Sequence, residues 1–585
     1  IEPYLLDKIN NKFKCCYKDI YAAIKEADKG VLVYLFEELK NIKILDPAVG
    51  SAHFLESAMD VLVELYRDII KRAKDLGLRE GFEILSVDES SKIKKINLLD
   101  INDEEIFALY VKFFIILARN IYGVDIMPTA INIAKARMFL TLAKHFDVNR
   151  RDLFVRLPNI HFNLMIGNSL IGYTAVPTNQ KVELAAFFST ELRYHNILCD
   201  ITDDFKDWLI KTARLLNQQN LITIRKSDII EEIQILNEKL KKSTLFYDDL
   251  LEILRIKSNI VNILIIAVNS KYANVLNKLI KRLDNEFNRK LDEIFTRQYN
   301  INNSDLERCK RFHWILYFPE VILKGGFDII IGNPPYVRHE EINDIEEGVD
   351  YKDILGKLYN PYDSTFDYSM YFILRSFQLL KNDGYHSFII TNKWLRAKYG
   401  KEIRKYLKGF TIKKIIDFTR IKVFVGATVD TMIYVIQKRK PNDDNLIFYN
   451  NTSDLNNIEQ GGYYVKQKNL SCDGVWSFLE DKVLALKSKI ESIGRPLKDW
   501  DIKIYFGIKT GFNDAFIIDT NTKNEILKNC RSDDERKRTE EIIKPVLRGR
   551  DIERYYYKWA GLWLIKIEAG WTNKNKGKEE AEEFF

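Results

Sequence analysis

The sequence predicts an α/β protein built on an open, largely parallel sheet, and three stretches carry that prediction. Residues 42–66 and 121–144 each run from a short apolar strand through a turn into helical periodicity, and residues 327–332 form a third apolar strand ended by a Pro-Pro pair. Repeated strand-turn-helix units build sheets covered by helices on both faces, with ligands held beyond the carboxyl ends of the strands. The turns are therefore where chemistry is sought.

From the N-terminus, Ile42-Lys43-Ile44-Leu45 reads as a buried strand, followed by Asp46-Pro47-Ala48-Val49-Gly50-Ser51-Ala52-His53-Phe54-Leu55 and a helix to about Tyr66. Small residues at Ala48, Gly50, Ser51 and Ala52 let a ligand approach the backbone where strand becomes helix. This is a nucleoside-binding turn without the Gly-x-Gly-x-x-Gly of dinucleotide enzymes. Asp46 would repel a pyrophosphate and suits a cationic group, such as the amino group of an amino acid. A second strand, Ile121-Tyr122-Gly123-Val124, ends in Asp125, and Ile126-Met127-Pro128 opens a helix to about Lys144. A carboxylate at that tip can accept both hydroxyls of a ribose; a plain surface Asp125 is the other reading, and Glu56 is a rival for the ribose. Asp46 and Asp125 lie 79 positions apart, against the usual spacing of about 20. The charged, helix-like stretch from Lys71 to Phe114 therefore reads as an insertion. The third element, Ile160 to Ile166, leads into Gly167-Asn168-Ser169-Leu170, where Asn168 could serve as a cap.

From about Gln180 to Lys310 the chain has few glycines and prolines and long helical periodicity, as in Leu276, Leu279 and Leu283. Its basic residues alternate with acidic ones, which reads as a solvated helical arm, a DNA clamp being the other possibility. The strand Phe327 to Gly332 is then broken by Asn333-Pro334-Pro335-Tyr336. That turn gathers an amide, carbonyls freed from ladder pairing and an aromatic ring, which suit a flat heterocycle bearing an amino group. A helix from Phe366 to about Leu380, a turn at Asn382-Asp383-Gly384, and strands Tyr385 to Thr391 and Ile412 to Asp417 follow. Thr431 to Ile436, with the preceding Val423-Phe424, reads as a closing hairpin. Between Lys438 and Pro496 the composition shifts to Asn, Asp, Tyr and Gly, the mark of a boundary.

At 585 residues there is room for two to four domains. No span of about 18 residues is apolar and free of charge, so no membrane-crossing segment is expected. The net charge of +7 permits an anionic partner. Six scattered cysteines without a Cys-x-x-Cys pair suggest neither a zinc site nor a disulfide framework, and a cytoplasmic protein without a metal is expected. Ile1 and the terminal Glu582-Glu583-Phe584-Phe585 read as cuts within a longer protein, a further expectation.

Asn333-Pro334-Pro335-Tyr336 resembles motif IV of the S-adenosylmethionine-dependent amino-methyltransferases, and Asp46 to Ala52 resembles their motif I, commonly Asp-Pro-Ala-Cys-Gly-Ser-Gly. Val49 and Ala52 depart from it; Ala52 is expected to narrow the pocket slightly. The lead-in Phe312-His313-Trp314, Phe318-Pro319-Glu320-Val321 and Gly325-Gly326-Phe327-Asp328 resembles methylases fused to restriction nucleases in single-chain systems. Ile504 to Phe516, with Lys544 to Ile552, resembles the start of a TaqI-like target-recognition domain. The motif order is that of the gamma arrangement.

The resemblance implies a Rossmann-like methyltransferase core of about seven strands with a large helical insertion and the start of a C-terminal recognition domain. The expected domains are residues 1–178 (cofactor half), 179–311 (helical insertion), 312–440 (catalytic half), 441–497 (connecting region) and 498–585 (partial recognition domain). It also implies methyl transfer from S-adenosylmethionine to adenine N6 of a base flipped out of double-stranded DNA, within a restriction-modification or related defence system. Expected catalytic residues are Asn333, Pro334, Pro335, Tyr336 and Phe424, the last stacking on the flipped base unless it is ordinary core. Expected cofactor contacts are Asp46, Pro47, Ala48, Gly50, Phe54, Asp125, Ile126, Asn168 and Asn333. Many relatives have Asp where this chain has Asn168, expected to meet the adenine of the cofactor. Cytosine-N4 methylation, the methylase portion of a bifunctional restriction endonuclease and a catalytically silent DNA-binding subunit are the rival readings; no Pro-Asp with a downstream Glu-x-Lys is evident.

Overall fold

A nine-stranded sheet organises the chain. The structure is a computed structural model and describes residues 1–87, 93–145, 160–175, 184–185, 198, 202–242, 244–245, 247–266, 271–424, 429–503, 507 and 513–567. The sheet strands are β1 (Ile44–Asp46), β2 (Ile121–Asp125), β3 (Leu164–Ile166), β4 (Phe327–Gly332), β5 (Leu380–Thr391), β6 (Thr411–Asp417), β7 (Thr431–Gln437), β8 (Leu446–Asn451) and β9 (Tyr463–Lys466). They lie in the order β9-β8-β6-β7-β5-β4-β1-β2-β3. Pairing is parallel from β3 through β2, β1 and β4 to β5, and again between β6 and β8; β7 runs antiparallel between β5 and β6, and β9 is antiparallel to β8. The carboxyl ends of β1 to β6 and β8 therefore share one edge. β1 fits its interior place because Ile44 and Leu45 are both fully buried, as a parallel strand covered on two faces requires.

Helices α1 (His53–Asp75), α2 (Pro128–Ala143) and α3 (Tyr368–Leu379) connect the strands. α1 buries Leu55, Met59, Leu62, Leu65, Tyr66 and Ile69, the stripe expected of a helix lying on a sheet. It begins in an unusual way. Ala52, its N-cap, has φ 66° and is fully enclosed. Its methyl group therefore faces protein and does not narrow a ligand pocket, which corrects that expectation. A left-handed alanine is disfavoured by about 1–2 kcal/mol. Ala52→Gly should raise the stability of the chain by about 1 kcal/mol, read as a higher urea midpoint at unchanged m-value.

Three further expectations are corrected. The stretch from Lys71 to Phe114 is not purely helical: after α1 it holds an antiparallel hairpin, Glu83–Val87 with Ile93–Asn97, before the helix Glu104–Leu117. Val423 and Phe424 form no strand, and β7 inserts between β5 and β6 instead of closing a hairpin with them. Residues 446–466, expected within a connecting region, add β8 and β9 to the sheet because Ile447 and Val465 are apolar enough to be buried there.

The helical insertion returns to its point of departure. Phe312 N donates to Ile171 O at 2.7 Å and Asn168 N to Lys310 O at 2.7 Å, so the chain leaves and re-enters beside the exit of β3. Gly167 and Gly172 make this possible, since a Cβ at either would lie 2.5 Å from the Phe312 ring or 2.1 Å from its carbonyl oxygen. Helix Tyr247–Ile266 is no solvated arm: Ile253, Ile256, Ile260 and Ile263 are fully enclosed, and Lys257 is buried with Nζ donating to Leu316 O. Charge alternation failed as a guide here because its polar groups bond inward.

Residues 1–485 and 486–585 form two separate units. The second contains a three-stranded antiparallel sheet, Ile517–Asp519, Leu562–Ile565 and Ile543–Pro545, with helices Thr520–Lys528 and Asp533–Ile542. Most of the Ile504 to Phe516 stretch lies outside the described residues.

Candidate active site

The carboxyl edge of the sheet collects the polar residues that the strands carry to their tips. Asp46 ends β1 and is buried, with Oδ1 accepting from Ala48 N at 3.0 Å. Asp125 ends β2; Oδ2 accepts from Gly50 N at 3.0 Å and Oδ1 from Met127 N at 2.9 Å. Gly50 has φ 51°, and a Cβ there would meet no atom within 4 Å, so this backbone faces open ground. Val49 turns the other way. Its side chain covers Gly123 of β2, where a Cβ would lie 2.7 Å from it. Pro47 is buried, Ala48 and Ile126 are half-buried and Phe54 is exposed. Phe54 shares a pocket of about 340 Å³ with Ile331, Ser387 and Ile389.

Burial pushes the Asp46 carboxyl up to about 7; the Ala48 N–H lowers it somewhat and the Asp125 charge raises it further. No cation pairs with Asp46 among the described residues, and a ligand ammonium would restore its charge. Glu56 has its partners already. Arg137 Nη1 donates to one oxygen at 2.9 Å and Thr141 Oγ1 to the other at 2.9 Å. Against its burial, these bonds and the Arg137 charge hold the Glu56 carboxyl below its ordinary value. Glu56 therefore fastens α1 to α2.

Strand β4 lies directly beside β1, with Leu45 opposite Ile330. At its tip, a Cβ on Gly332 would stand 2.7 Å from Asp46 Oδ1, so only glycine lets the two tips come this close. Asn333 follows. Its side-chain oxygen is buried without a hydrogen-bond partner among the described residues. Leaving such an acceptor unpaired costs about 1–3 kcal/mol, so the arrangement calls for an amino donor. Pro334 is buried and Pro335 exposed. The Tyr336 hydroxyl donates to Ile389 O at 3.1 Å, which fixes the ring at the end of β5, and burial raises its pKa. Phe424 is half-buried and packs with Ile389, Ile416 and Phe418; its ring centroid lies 6.3 Å from that of Tyr336 in an edge-to-face arrangement. The structure therefore brings Asp46, Gly50, Asp125, Asn333 and the Tyr336–Phe424 pair to one edge.

Asn168 is different. It is 2% exposed, with Nδ2 donating to Cys309 O at 3.0 Å and to the Tyr351 hydroxyl, while Oδ1 accepts from Leu170 N at 3.0 Å. The expectation of a side chain offered to a nucleoside is corrected: Asn168 is turned into a closed polar network formed by the returning insertion. Aspartate would set a carboxylate oxygen against the Cys309 carbonyl. Asn168→Asp should therefore destabilise the fold by about 2 kcal/mol or more, seen as a lower urea midpoint. Two bracing residues escaped sequence reasoning. Ser169 Oγ donates to Pro47 O at 2.5 Å and Arg137 Nε to Ser51 O at 2.8 Å, across 122 and 86 positions. No local pattern signals such pairs.

Residues 119–424, just over half of the chain, match the model of the Eco57I restriction-modification methylase family. The chain belongs to that family. The matched span runs from the approach to β2 through the Asn333 turn to Phe424, and so contains Asp125, Asn333, Tyr336 and Phe424 of the tip cluster but not Asp46 and its turn. A Methanocaldococcus jannaschii protein named for a type II restriction enzyme and methyltransferase is 30% identical over 427 residues, 72% of this chain and 32% of that protein. The type II restriction enzyme and methyltransferase RM.Eco57I of Escherichia coli is 35% identical over 124 residues, 21% of this chain and 12% of that protein. The type II methyltransferase M.HincII of Haemophilus influenzae is 30% identical over 199 residues, 33% of this chain and 39% of that protein. The chain thus spans about a third of the Methanocaldococcus relative and less of the Escherichia one. Among the described residues, no helix is long and apolar enough to cross a membrane.

Proposed function

We propose that this Eco57I-family chain is the methyltransferase portion of a restriction-modification enzyme and methylates N6 of an adenine flipped out of double-stranded DNA. The observation that carries this reading is the buried, unpaired Asn333 oxygen at the tip of β4, beside the Asp46 tip of β1. The amino group of adenine lies on its pairing edge, so the base must leave the helix, at a few kcal/mol for unstacking and unpairing. Tyr336 and Phe424 would recover part of this by stacking, worth about 1–3 kcal/mol per base. Asn333 Oδ1 and the Pro334 carbonyl would accept the two amino hydrogens and draw the nitrogen toward tetrahedral geometry, aiming its lone pair away from the turn.

S-adenosylmethionine would supply an electrophilic methyl group already joined to a good leaving group. The residues present suit it: Asp46 for the ammonium, the open Gly50 backbone for close approach, and Asp125 for the ribose. Asp125 can accept there without releasing Gly50 and Met127, since a carboxylate offers about four acceptor sites. The work left to the chain is orientation of two partners across the β1–β4 boundary. Residues 486–585 serve, in this reading, as part of a TaqI-like target-recognition domain.

Cytosine-N4 methylation would use the same turn, and the Asn that begins it favours adenine. Incubation of the full chain with labelled S-adenosylmethionine and unmodified DNA, followed by nucleoside digestion, should place the label in N6-methyladenine. Label confined to cytosine or to protein would overturn the assignment.

A further inference from the structure

A second pocket lies on the same carboxyl edge, at the tips of β6 and β8, and the methyl-transfer reading does not use it. It has a volume of about 380 Å³ and is lined by Arg396, Arg420, Asp417, Asn451 and a wall of aromatic side chains. Its walls are held in place: Tyr449 and Phe478 stack at 4.8 Å and 12°, the Tyr463 hydroxyl donates to Phe478 O at 2.8 Å, and Trp476 N donates to Leu395 O at 3.0 Å. Such bracing marks a pre-formed cavity.

The polar groups divide into committed and uncommitted ones. Asp417 is buried; Oδ1 accepts from Asn392 Nδ2 at 3.0 Å and from Thr419 N and Oγ1 at 3.0 and 2.6 Å, and Oδ2 accepts from the Tyr449 hydroxyl at 3.2 Å. Arg396 and Arg420 are both exposed, and neither forms an ion pair among the described residues. The Asn451 side-chain oxygen is buried without a hydrogen-bond partner among them. Two guanidinium groups against one carboxylate leave the lining with an excess positive charge. Guanidinium forks match phosphate oxygens, and an unpaired amide oxygen calls for an N–H donor such as a nucleobase carries. The combination of phosphate donors, base acceptor and aromatic wall is that of a nucleotide site.

Its place decides which nucleotide. From β4 to β6 is three strand steps and to β8 four, roughly 14–19 Å at about 4.8 Å per step. A DNA strand advances about 3.4 Å per nucleotide along the duplex axis, so the pocket falls some four to six nucleotides from a base held at Asn333. We infer that this pocket grips a nucleotide of the DNA strand flanking the target base, with Arg396 and Arg420 on its phosphate and Asn451 on its base. The inference rests on the proposed function in taking DNA as the substrate.

The test uses the full chain and unmodified genomic DNA fragments, with binding measured across salt concentrations. Each phosphate contact adds about 0.9 to the slope of log K against log salt. The double variant Arg396→Ala with Arg420→Ala should make that slope shallower by about 1–2 and raise the KM for DNA roughly tenfold at 0.15 M salt. Its kcat should stay within about twofold and its S-adenosylmethionine Kd should be unchanged, which a folding defect would not allow. Asn451→Ala should weaken DNA binding at an unaltered slope. An unchanged slope in the double variant would overturn the inference, as would binding of free deoxynucleoside monophosphate that depends on the two arginines while the DNA slope does not. Slopes are read without turnover. An arginine-dependent slope with label in cytosine would remove only the adenine assignment, and adenine methylation with an unchanged slope only the pocket.

Discussion

Replacing Asn333 with alanine should lower kcat by roughly 10²-fold or more while S-adenosylmethionine binding stays within about twofold of wild type. The magnitude follows from losing one pre-placed hydrogen-bonding group at a reacting centre, which typically contributes 10²–10³-fold. Two features of the structure make the split between turnover and binding informative. The Asn333 oxygen has no hydrogen-bond partner among the described residues, so its removal breaks no hydrogen bond of that atom seen there. Removing a buried unpaired acceptor should also leave the fold as stable as before, or slightly more so. Single-turnover rates, cofactor titration and a urea melt on one preparation would check all three. Loss of cofactor affinity with retained turnover would place the chemistry elsewhere.

The second large effect concerns Asp46 and pH. Burial pushes its carboxyl up to about 7 from an ordinary value of 3.8. A cationic ligand group binds the ionised form, so the Kd for S-adenosylmethionine should rise up to about tenfold for each pH unit below 7 and level off above it. Asp46→Asn should flatten this profile and weaken binding at pH 8 by roughly 10- to 100-fold, the worth of a hydrogen bond to a charged group. The linkage to stability has the opposite direction. A carboxyl raised in the folded state binds its proton more tightly there than in the unfolded chain. Its contribution to stability is fully present below about 4 and is lost as the pH rises through about 7. Saturating ligand should therefore protect most above pH 7, and melting curves with and without it at pH 5.5 and 8 would read this directly. A pH-independent Kd would remove Asp46 from the ligand site.

Much of the site was legible because its signals are local. A short apolar strand ended by Asp-Pro, by Asp before a helix, or by Asn-Pro-Pro states where the backbone must leave the sheet, and Asp46, Asp125 and Asn333 are found at the tips expected of them. The setting of Asn168 was not legible for the converse reason. Its strand and turn were legible, but the groups that enclose it, Cys309 and Tyr351, lie 141 and 183 positions away. The left-handed Ala52 has a similar origin, since the turn that imposes its conformation is held by Asp125 on Gly50 N and Arg137 on Ser51 O, 75 and 86 positions away.

By itself, then, the sequence determined which residues stand at strand ends: the carboxylates of Asp46 and Asp125, and the amide and aromatic ring of Asn333 and Tyr336, the groups on which the proposed function rests. Backbone breaks and periodicity are properties of a few neighbouring residues, so they survive without a fold. Only the tertiary structure decided that β4 lies beside β1 with Gly332 against Asp46, that β7 enters between β5 and β6, and that residues 446–466 extend the sheet. Those outcomes depend on which apolar faces find one another across tens to hundreds of positions, a choice made by burial and packing that no short pattern encodes.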